Sequence, residues 1–178
     1  MPNPPTLAIT RRDLTRAAAL LPDRARPRLR MEPTLDRTGT VDGAWWPRTS
    51  NLRAELPGLV TTLAAILGPV VAVGVDTAAW TDIPARITVD GHIVRIIPYA
   101  VGDGTMSVVR GRMDHFLLLV LPPPTSTAAA GTAMALAVRT GNAAPLPVLL
   151  AAAAAPDHGN QDRAADRWED EGGALVGV

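Results

Sequence analysis

The dipeptide Asp90-Gly91 constrains the fold of this chain more than any other feature of its sequence. It separates two segments, residues 86–89 and 92–95, in which polar and apolar side chains alternate. Alternation is typical of half-buried strands, and Asp-Gly is a preferred type I′ turn because both turn residues adopt a positive φ. The sequence therefore predicts an antiparallel hairpin at this point.

The two-residue turn also fixes which side chains share a face of the hairpin. The apolar side chains fall on one face, which we expect to be the core face, with His92 at its rim: Ile87, Val89, Val94 and Ile96. On the other face, Arg86 and Arg95 become direct cross-strand neighbours, and like charges in that position are unfavourable. Either the two side chains extend into water, where like charges cost little, or a partner neutralises them. The candidate partners are Asp82, Asp103, the acidic C-terminal segment and a bound anion.

The rest of the chain carries the periodicity of further strands and helices. Strands are predicted at residues 28–33, 70–76, 105–109 and 116–121, helices at residues 50–67 and 126–138, and residues 146–155 carry the pattern of one further short helix. Pro57 leaves two alternatives for the first helix, which either starts near Glu55 or is kinked at the proline. Short loops between the strands favour antiparallel pairing. We predict an α+β fold: a single domain with a mainly antiparallel sheet of five to six strands, covered by two helices, with flexible ends.

Charge divides the chain into three regions. We predict a disordered Arg-rich arm at residues 1–27, the folded domain at residues 28–155 and a disordered acidic tail at residues 156–178. Residues 1–32 carry a net charge of +4 and residues 156–178 carry −4, although the whole chain has a formal net charge of +0. The arm could bind nucleic acid and the tail could repel it. The other interpretation is that both ends are solvated or fold back on each other.

The composition excludes several classes of chemistry. The chain has no Cys and no Lys, so all 17 basic residues are Arg. This excludes disulfides, thiolate metal sites, Cys nucleophiles, Schiff-base lysines and phosphate-loop lysines. The three His residues belong to no spaced ligand cluster and no Ser lies in a nucleophile motif, so no catalytic residue, metal or cofactor is predicted.

Membrane insertion and secretion are not expected. The longest apolar stretch is interrupted by Gly68-Pro69, whereas a membrane-spanning helix needs about 20 apolar residues. The first residues also lack the apolar core of a signal peptide. A cytoplasmic location is therefore expected.

The adjacent residues Trp45 and Trp46 are the most prominent candidates for binding. If this segment is extended, the two rings point in opposite directions, so one is expected in the core and the other as a lid or surface anchor. A buried Trp pair at a strand-to-helix corner is the alternative. Arg48 is close enough to stack on either ring, and Trp and Arg dominate binding hot spots. Trp45, Trp46 and Arg48, with help from Arg86 and Arg95, are therefore the predicted binding residues.

These residues favour a non-enzymatic binding or regulatory module that recognises a protein or an anionic small molecule. Two alternatives remain open. A nucleic-acid-associated protein would use the N-terminal arm, and its binding would weaken steeply with salt. An unrecognised enzyme would need a concave site beside the Trp pair, where side chains from among the following residues converge: Asp36, Asp42, Arg37 or Arg48.

Residues 28–48, RLRMEPTLDRTGTVDGAWWPR, followed by Asn51-Leu52 and Glu55-Leu56-Pro57, resemble the opening of a family of small actinobacterial proteins catalogued as a domain of unknown function. The segment Gly-Ala-Trp-Trp-Pro-Arg is the most specific part. The resemblance extends to about residue 150 through Trp80, the Asp-Gly hairpin and Gly141-Asn142. It implies no assigned activity, cofactor or ligand. The Lys-free, Ala- and Arg-rich composition fits such an origin, because high-GC genomes favour these codons.

Overall fold

The computed structural model describes residues 26–100, 102–112 and 114–155. All but the last two residues of the arm predicted at residues 1–27, and the whole tail predicted at residues 156–178, lie outside this part and stay predictions. The described chain forms seven strands and three helices: β1 (Arg28–Met31), β2 (Gly43–Trp46), α1 (Leu52–Leu67), β3 (Val70–Asp76), β4 (Arg86–Val89), β5 (His92–Tyr99), β6 (Thr105–Arg110), β7 (Asp114–Val120), α2 (Thr127–Ala137) and α3 (Leu146–Ala154).

The strands form one sheet in the order β1-β2-β7-β6-β3-β5-β4. The pairs β2–β7 and β3–β5 are parallel, and the other neighbouring pairs are antiparallel. The α+β class is confirmed, but within the described ranges the sheet is mixed and has seven strands rather than five or six, with three helices rather than two. Because β2, β3, β5 and β7 run in the same direction, their carboxyl ends meet at one edge of the sheet, which we call the carboxyl edge.

The strand that the sequence did not predict is β2. All four of its residues are buried, so the segment lacks the alternation that marks a half-buried strand. The parallel pairing of β3 with β5 has a different cause. The β4–β5 hairpin turns back so that β5, rather than β4, lies beside β3. Short connections therefore do not impose antiparallel neighbours in this chain.

The β4–β5 hairpin has the predicted register. Val89 pairs with His92 and Arg86 with Arg95, and the turn residues have φ values of 49° and 78°. The four apolar side chains expected on the core face are all buried, whereas His92 is exposed. The prediction of a core face on this hairpin is confirmed.

Helix α1 begins at Leu52, so the alternative start near Glu55 is wrong. The Asn51 side chain accepts a hydrogen bond from the Ala54 backbone N–H at 3.0 Å, which satisfies one of the free donors of the first turn. The backbone N–H of Leu52 donates to the Thr81 carbonyl at 3.0 Å. These contacts hold the first turn in place, and Pro57 lies inside the helix.

The helices cover the two faces of the sheet unequally. Helix α1 packs against β3 and β4 and closes the larger apolar core. Helices α2 and α3 pack against each other on the opposite face, where α2 contacts β2 and closes a second core. The side chains of β4 and β5 on this second face remain exposed. Among the described helices, none has the length and apolar character needed to cross a bilayer.

A buried carboxylate ties the end of β1 to the loop between α2 and α3. Glu32 accepts hydrogen bonds from Thr140 Oγ1 at 2.7 Å and from Thr34 Oγ1 at 2.8 Å. Burial opposes ionisation of this carboxyl. The hydrogen bonds from Thr140, Thr34 and the backbone at Thr34 and Leu35 outweigh burial and lower the pKa of Glu32 to about 2.

We expect acid to destabilise the fold through Glu32. The pKa of this carboxyl falls from the ordinary value of 4.5 to about 2 in the folded chain, so the ionised group stabilises the fold above about pH 4.5. This contribution is lost as the pH falls from 4.5 towards 2. In urea unfolding at a series of pH values, Glu32→Gln should lose less stability over this window than the wild type. Equal losses in the two proteins would contradict the assignment.

Candidate functional site

The structure places both adjacent Trp rings in the cores. Trp45 is 0% exposed and stacks on Trp80, with ring centroids 5.2 Å apart and an interplanar angle of 19°. Trp46 points to the opposite face, is 8% exposed and lies in the second core. The predicted opposite directions are observed, but the expectation that one ring serves as a lid or surface anchor is wrong. The alternative, a buried Trp pair between a strand and a helix, describes the molecule.

The arginine that stacks on the Trp pair is Arg28. Its guanidinium carbon lies 3.4 Å from the centroid of Trp46, and its Nε donates to the Trp46 carbonyl at 3.0 Å. Burial, with a smaller contribution from the charge of Arg48, lowers the pKa of Arg28. The sequence pointed to Arg48 because it is close along the chain, whereas strand pairing sets Arg28 directly opposite Trp46. Arg48 is exposed, and its Nη2 lies 3.4 Å from the Arg26 carbonyl.

The remaining two predicted site residues lie far from the Trp pair along the sheet, on the exposed side of the β4–β5 hairpin. Arg86 and Arg95 are cross-strand neighbours and both are exposed. They share this side with other exposed residues, and we call the set of five the hairpin face: Arg86, Thr88, Ile93, Arg95 and Ile97. Ile93 is 59% exposed and Ile97 is 49% exposed.

Neither carboxylate proposed to neutralise this Arg pair does so. Asp82 pairs instead with Arg53, with 3.0 Å between Asp82 Oδ1 and Arg53 Nε, and Asp103 accepts a hydrogen bond from Thr105 Oγ1 at 2.7 Å. Within the described ranges, neither Arg86 nor Arg95 has a hydrogen bond or ion pair. Both side chains are exposed, as expected if they extend into water. The two partners that stay possible are the acidic C-terminal segment and a bound anionic group.

The residues required by the enzyme alternative do not converge. Asp42 is buried and its Oδ2 accepts a hydrogen bond from the Leu117 backbone N–H at 2.7 Å. Arg37 pairs with Asp114, and the side chain of Asp36 accepts hydrogen bonds from Thr38. Each of these contacts holds a separate loop or strand end, and none of them forms part of a common site.

A cavity that the sequence did not predict opens at the carboxyl edge. Its volume is about 370 Å³. Segments at the ends of the four codirectional strands contribute to its wall, together with Trp80 and α3: Pro47 after β2, Asp76 at the end of β3, Gly102 after β5, Pro122 after β7, and Leu150. None of the described lining residues is basic. Within the described ranges, no group of three or more His, Asp or Glu residues could hold a metal ion.

Asp76 is the charged residue of this wall. It is 3% exposed, and its Oδ1 accepts a hydrogen bond from the Ala78 backbone N–H at 3.1 Å. Its Oδ2 has no hydrogen-bond partner among the described residues and faces Gly102, where a β-carbon would lie 4.0 Å away. Nearby, burial raises the pKa of Tyr99, and the charges of Asp103 and Asp76 raise it further. The cavity wall is therefore apolar and locally electronegative.

The sequence signal for this cavity was present but indirect. Asp76 ends a strand of buried apolar residues, and the segment Gly102-Asp103-Gly104 has a composition typical of a turn. Gly102 and Gly104 both have positive φ, and both line the cavity. Only the strand order brings this turn next to Asp76.

A comparison with models of protein families identifies a relative of this chain. A family model, described as a family of unknown function, matches residues 28–137, which span all seven strands and the first two helices. Neither curated proteins nor solved structures give a match. The matched range confirms the resemblance to an uncharacterised family, and the chain belongs to the family of unknown function DUF5994.

Proposed function

We propose that this chain is a non-enzymatic binding module whose hairpin face recognises an acidic segment of another protein. The observation that carries the proposal is the pair Arg86 and Arg95, which lie side by side on an exposed sheet face without a partner among the described residues. Exposed isoleucines on the same face add apolar contact area.

The charge of this face favours an acidic partner. Like charges directly opposite each other in a sheet are unfavourable, and the nearby carboxylates of Asp82 and Asp103 are engaged elsewhere. A carboxylate from a partner would relieve this repulsion and accept the forked guanidinium donors. The free protein thus gives up some hairpin stability that binding would restore.

The shape of this face favours a protein rather than a small anion. The hairpin face is the side of a two-stranded segment that none of the three described helices covers, whereas small molecules are normally held in concave sites. Ile93 and Ile97 alternate with Arg95 along β5. An extended peptide with alternating acidic and apolar side chains matches this spacing, because side chains two residues apart share a face of a strand.

The alternatives stay predictions. Nucleic-acid binding would use residues 1–27, most of which lie outside the described part, and deletion of this segment should abolish salt-sensitive binding. The side chains that the enzyme alternative requires do not converge on a common site. The cytoplasmic location, the actinobacterial origin and the role of Gly-Ala-Trp-Trp-Pro-Arg as the mark of the family are likewise expectations.

A charge-reversed variant tests the hairpin face. We expect a short fluorescein-labelled peptide in which Glu and Leu alternate to bind the wild-type protein, with an affinity that falls as salt increases. The double variant Arg86→Glu/Arg95→Glu should weaken binding by about tenfold or more, or roughly 1.4 kcal/mol, in fluorescence anisotropy. This variant retains two like charges across the strands, so it changes the sign of the face without adding a new source of hairpin instability.

The matched control is Arg112→Glu/Arg139→Glu. It has the same net charge as the test variant, and both of its positions are exposed and lie outside the hairpin. It should bind the peptide nearly as well as the wild type. If both variants bind the peptide equally weakly, the loss of affinity is explained by net charge alone, and the proposed surface is refuted. If the peptide binds only after residues 156–178 are removed, the occupant of the face is the chain's own acidic segment.

A further inference from the structure

The cavity at the carboxyl edge carries an inference that goes beyond the proposed function, because it shares no residue with the hairpin face. Four codirectional strands end here, and the segments that follow them form its wall. Its volume of about 370 Å³ falls in the range of small-molecule sites. Most of its wall is apolar, with Pro47, Pro122 and Leu150 among the contributing residues.

The described wall carries one charged side chain, the carboxylate of Asp76, and no cation. The Asp76 side chain is buried, with only 3% of its surface exposed, yet its Oδ2 has no hydrogen-bond partner in the described chain. A buried carboxylate is costly unless it is paired or hydrogen-bonded. The role of Asp76 in its turn is fulfilled by Oδ1, which accepts from the Ala78 N–H. The second oxygen is therefore left for a group that the described residues do not supply.

The surroundings limit what that group can be. An anion is disfavoured because no described lining residue is basic, and the neighbouring Asp103 adds negative charge, as its effect on Tyr99 shows. A coordinated metal ion is disfavoured because one carboxylate is too few ligands, and no cluster of three exists in the described ranges. An ammonium group can both donate a hydrogen bond to Oδ2 and neutralise it.

We propose that this cavity binds a small organic amine, with its ammonium group against Asp76 and its apolar body between the prolines and Leu150. Trp80 contributes an indole to the wall, and indole rings favour cations as well as apolar groups. Specificity for the amine arises from the single buried carboxylate, and the apolar wall supplies contact area without selecting a head group.

Three probes with the same phenyl body and different head groups test this proposal: phenethylamine, 2-phenylethanol and phenylacetate. Each is titrated into the full-length ¹⁵N-labelled protein, and the backbone amides of Gly102 and Gly104 report binding at the cavity. We expect phenethylamine to bind at least tenfold more tightly than phenylacetate, with 2-phenylethanol between them. No binding of the amine at millimolar concentration, or equal binding of all three probes, would overturn the proposal.

The variant Asp76→Asn separates charge from shape. Its side-chain oxygen can still accept the Ala78 N–H, because Asn and Asp form the same local turn. We expect it to weaken phenethylamine binding by about tenfold and to leave 2-phenylethanol binding unchanged. Asp90→Asn is the matched control, since it removes the same charge at a turn position that Asn favours and that lies outside the cavity wall. It should bind the amine like the wild type.

A second variant keeps the proposal testable if Asp76→Asn does not fold. Ala78 is exposed and lines the cavity, so Ala78→Phe adds a ring at the wall without removing a buried side chain. We expect this variant to fold and to weaken both phenethylamine and 2-phenylethanol. Undiminished binding of the two probes in Ala78→Phe would place them elsewhere on the protein and refute the site.

Discussion

Replacing Trp45 with alanine is expected to lower the free energy of unfolding by about 3–5 kcal/mol. The side chain is fully buried and stacks on Trp80 across the larger core, so its removal leaves a large cavity and deprives the second indole of its partner. Small domains have a total stability of about 5–15 kcal/mol. Urea unfolding followed by far-UV circular dichroism measures the loss, and the variant is expected to be partly unfolded at 37 °C.

The variant Trp45→Phe is the control that separates volume from hydrogen bonding. The indole N–H groups of Trp45 and Trp80 are both buried without a hydrogen-bond partner among the described residues. A phenyl ring at position 45 therefore gives up no hydrogen bond and retains most of the packing, so it should cost less than half as much as alanine. A stable Trp45→Ala protein that had lost only a binding activity would contradict the placement of this ring in the core.

The second large effect is expected from Gly43→Ala. A β-carbon at this position would lie 2.7 Å from the Arg30 carbonyl oxygen and 2.9 Å from Leu118 Cδ2. The carbonyl belongs to β1, whose pairing with β2 sets Arg30 and Met31 opposite Ala44 and Gly43, so it cannot withdraw without disturbing that pairing. Overpacking of this kind costs about 1–3 kcal/mol, and a backbone clash places the expected value at the upper end.

Gly131→Ala provides the comparison for this substitution. Gly131 lies inside α2, and a β-carbon there would meet nothing within 4 Å. Because Ala is favoured over Gly in helices by up to about 1 kcal/mol, this variant should be neutral or more stable. Urea unfolding of both proteins measures the contrast. If Gly43→Ala is as stable as Gly131→Ala, the close approach of β1 and β2 is not a constraint on the fold.

The hairpin could be predicted from sequence because its determinants are local. Asp90 and Gly91 set the turn, and the turn sets every pairing between β4 and β5. The β2 strand could not be predicted in this way because its identity depends on burial from two sides, by elements that come later in the chain. The same distinction separates Arg48, which sequence proximity favoured, from Arg28, which pairing places on Trp46.

The two candidate sites also differ in whether local sequence determines them. Arg86 and Arg95 could be placed together from sequence because the turn register alone determines their relation. The cavity could not be predicted from sequence, because Asp76 and Gly102 come together only through the parallel β3–β5 pair. Leu150 is contributed by a helix near the end of the described chain. Non-local contacts of this kind leave no periodicity in the sequence. A buried strand ending in an acidic residue was the nearest available indication.

The parallel pairing of β2 with β7 also governs the order in which the chain can fold. Trp45 pairs with Val120 across this junction, so β2 has only β1 as a sheet neighbour until β7 has been synthesised. The strands between them complete their own pairings earlier, because these link segments that are closer along the chain. Closing the long loop costs entropy before its contacts form, which slows folding. During translation, the core around Trp45 therefore cannot close before β7 has left the ribosome, and the nascent chain carries an open apolar surface until then.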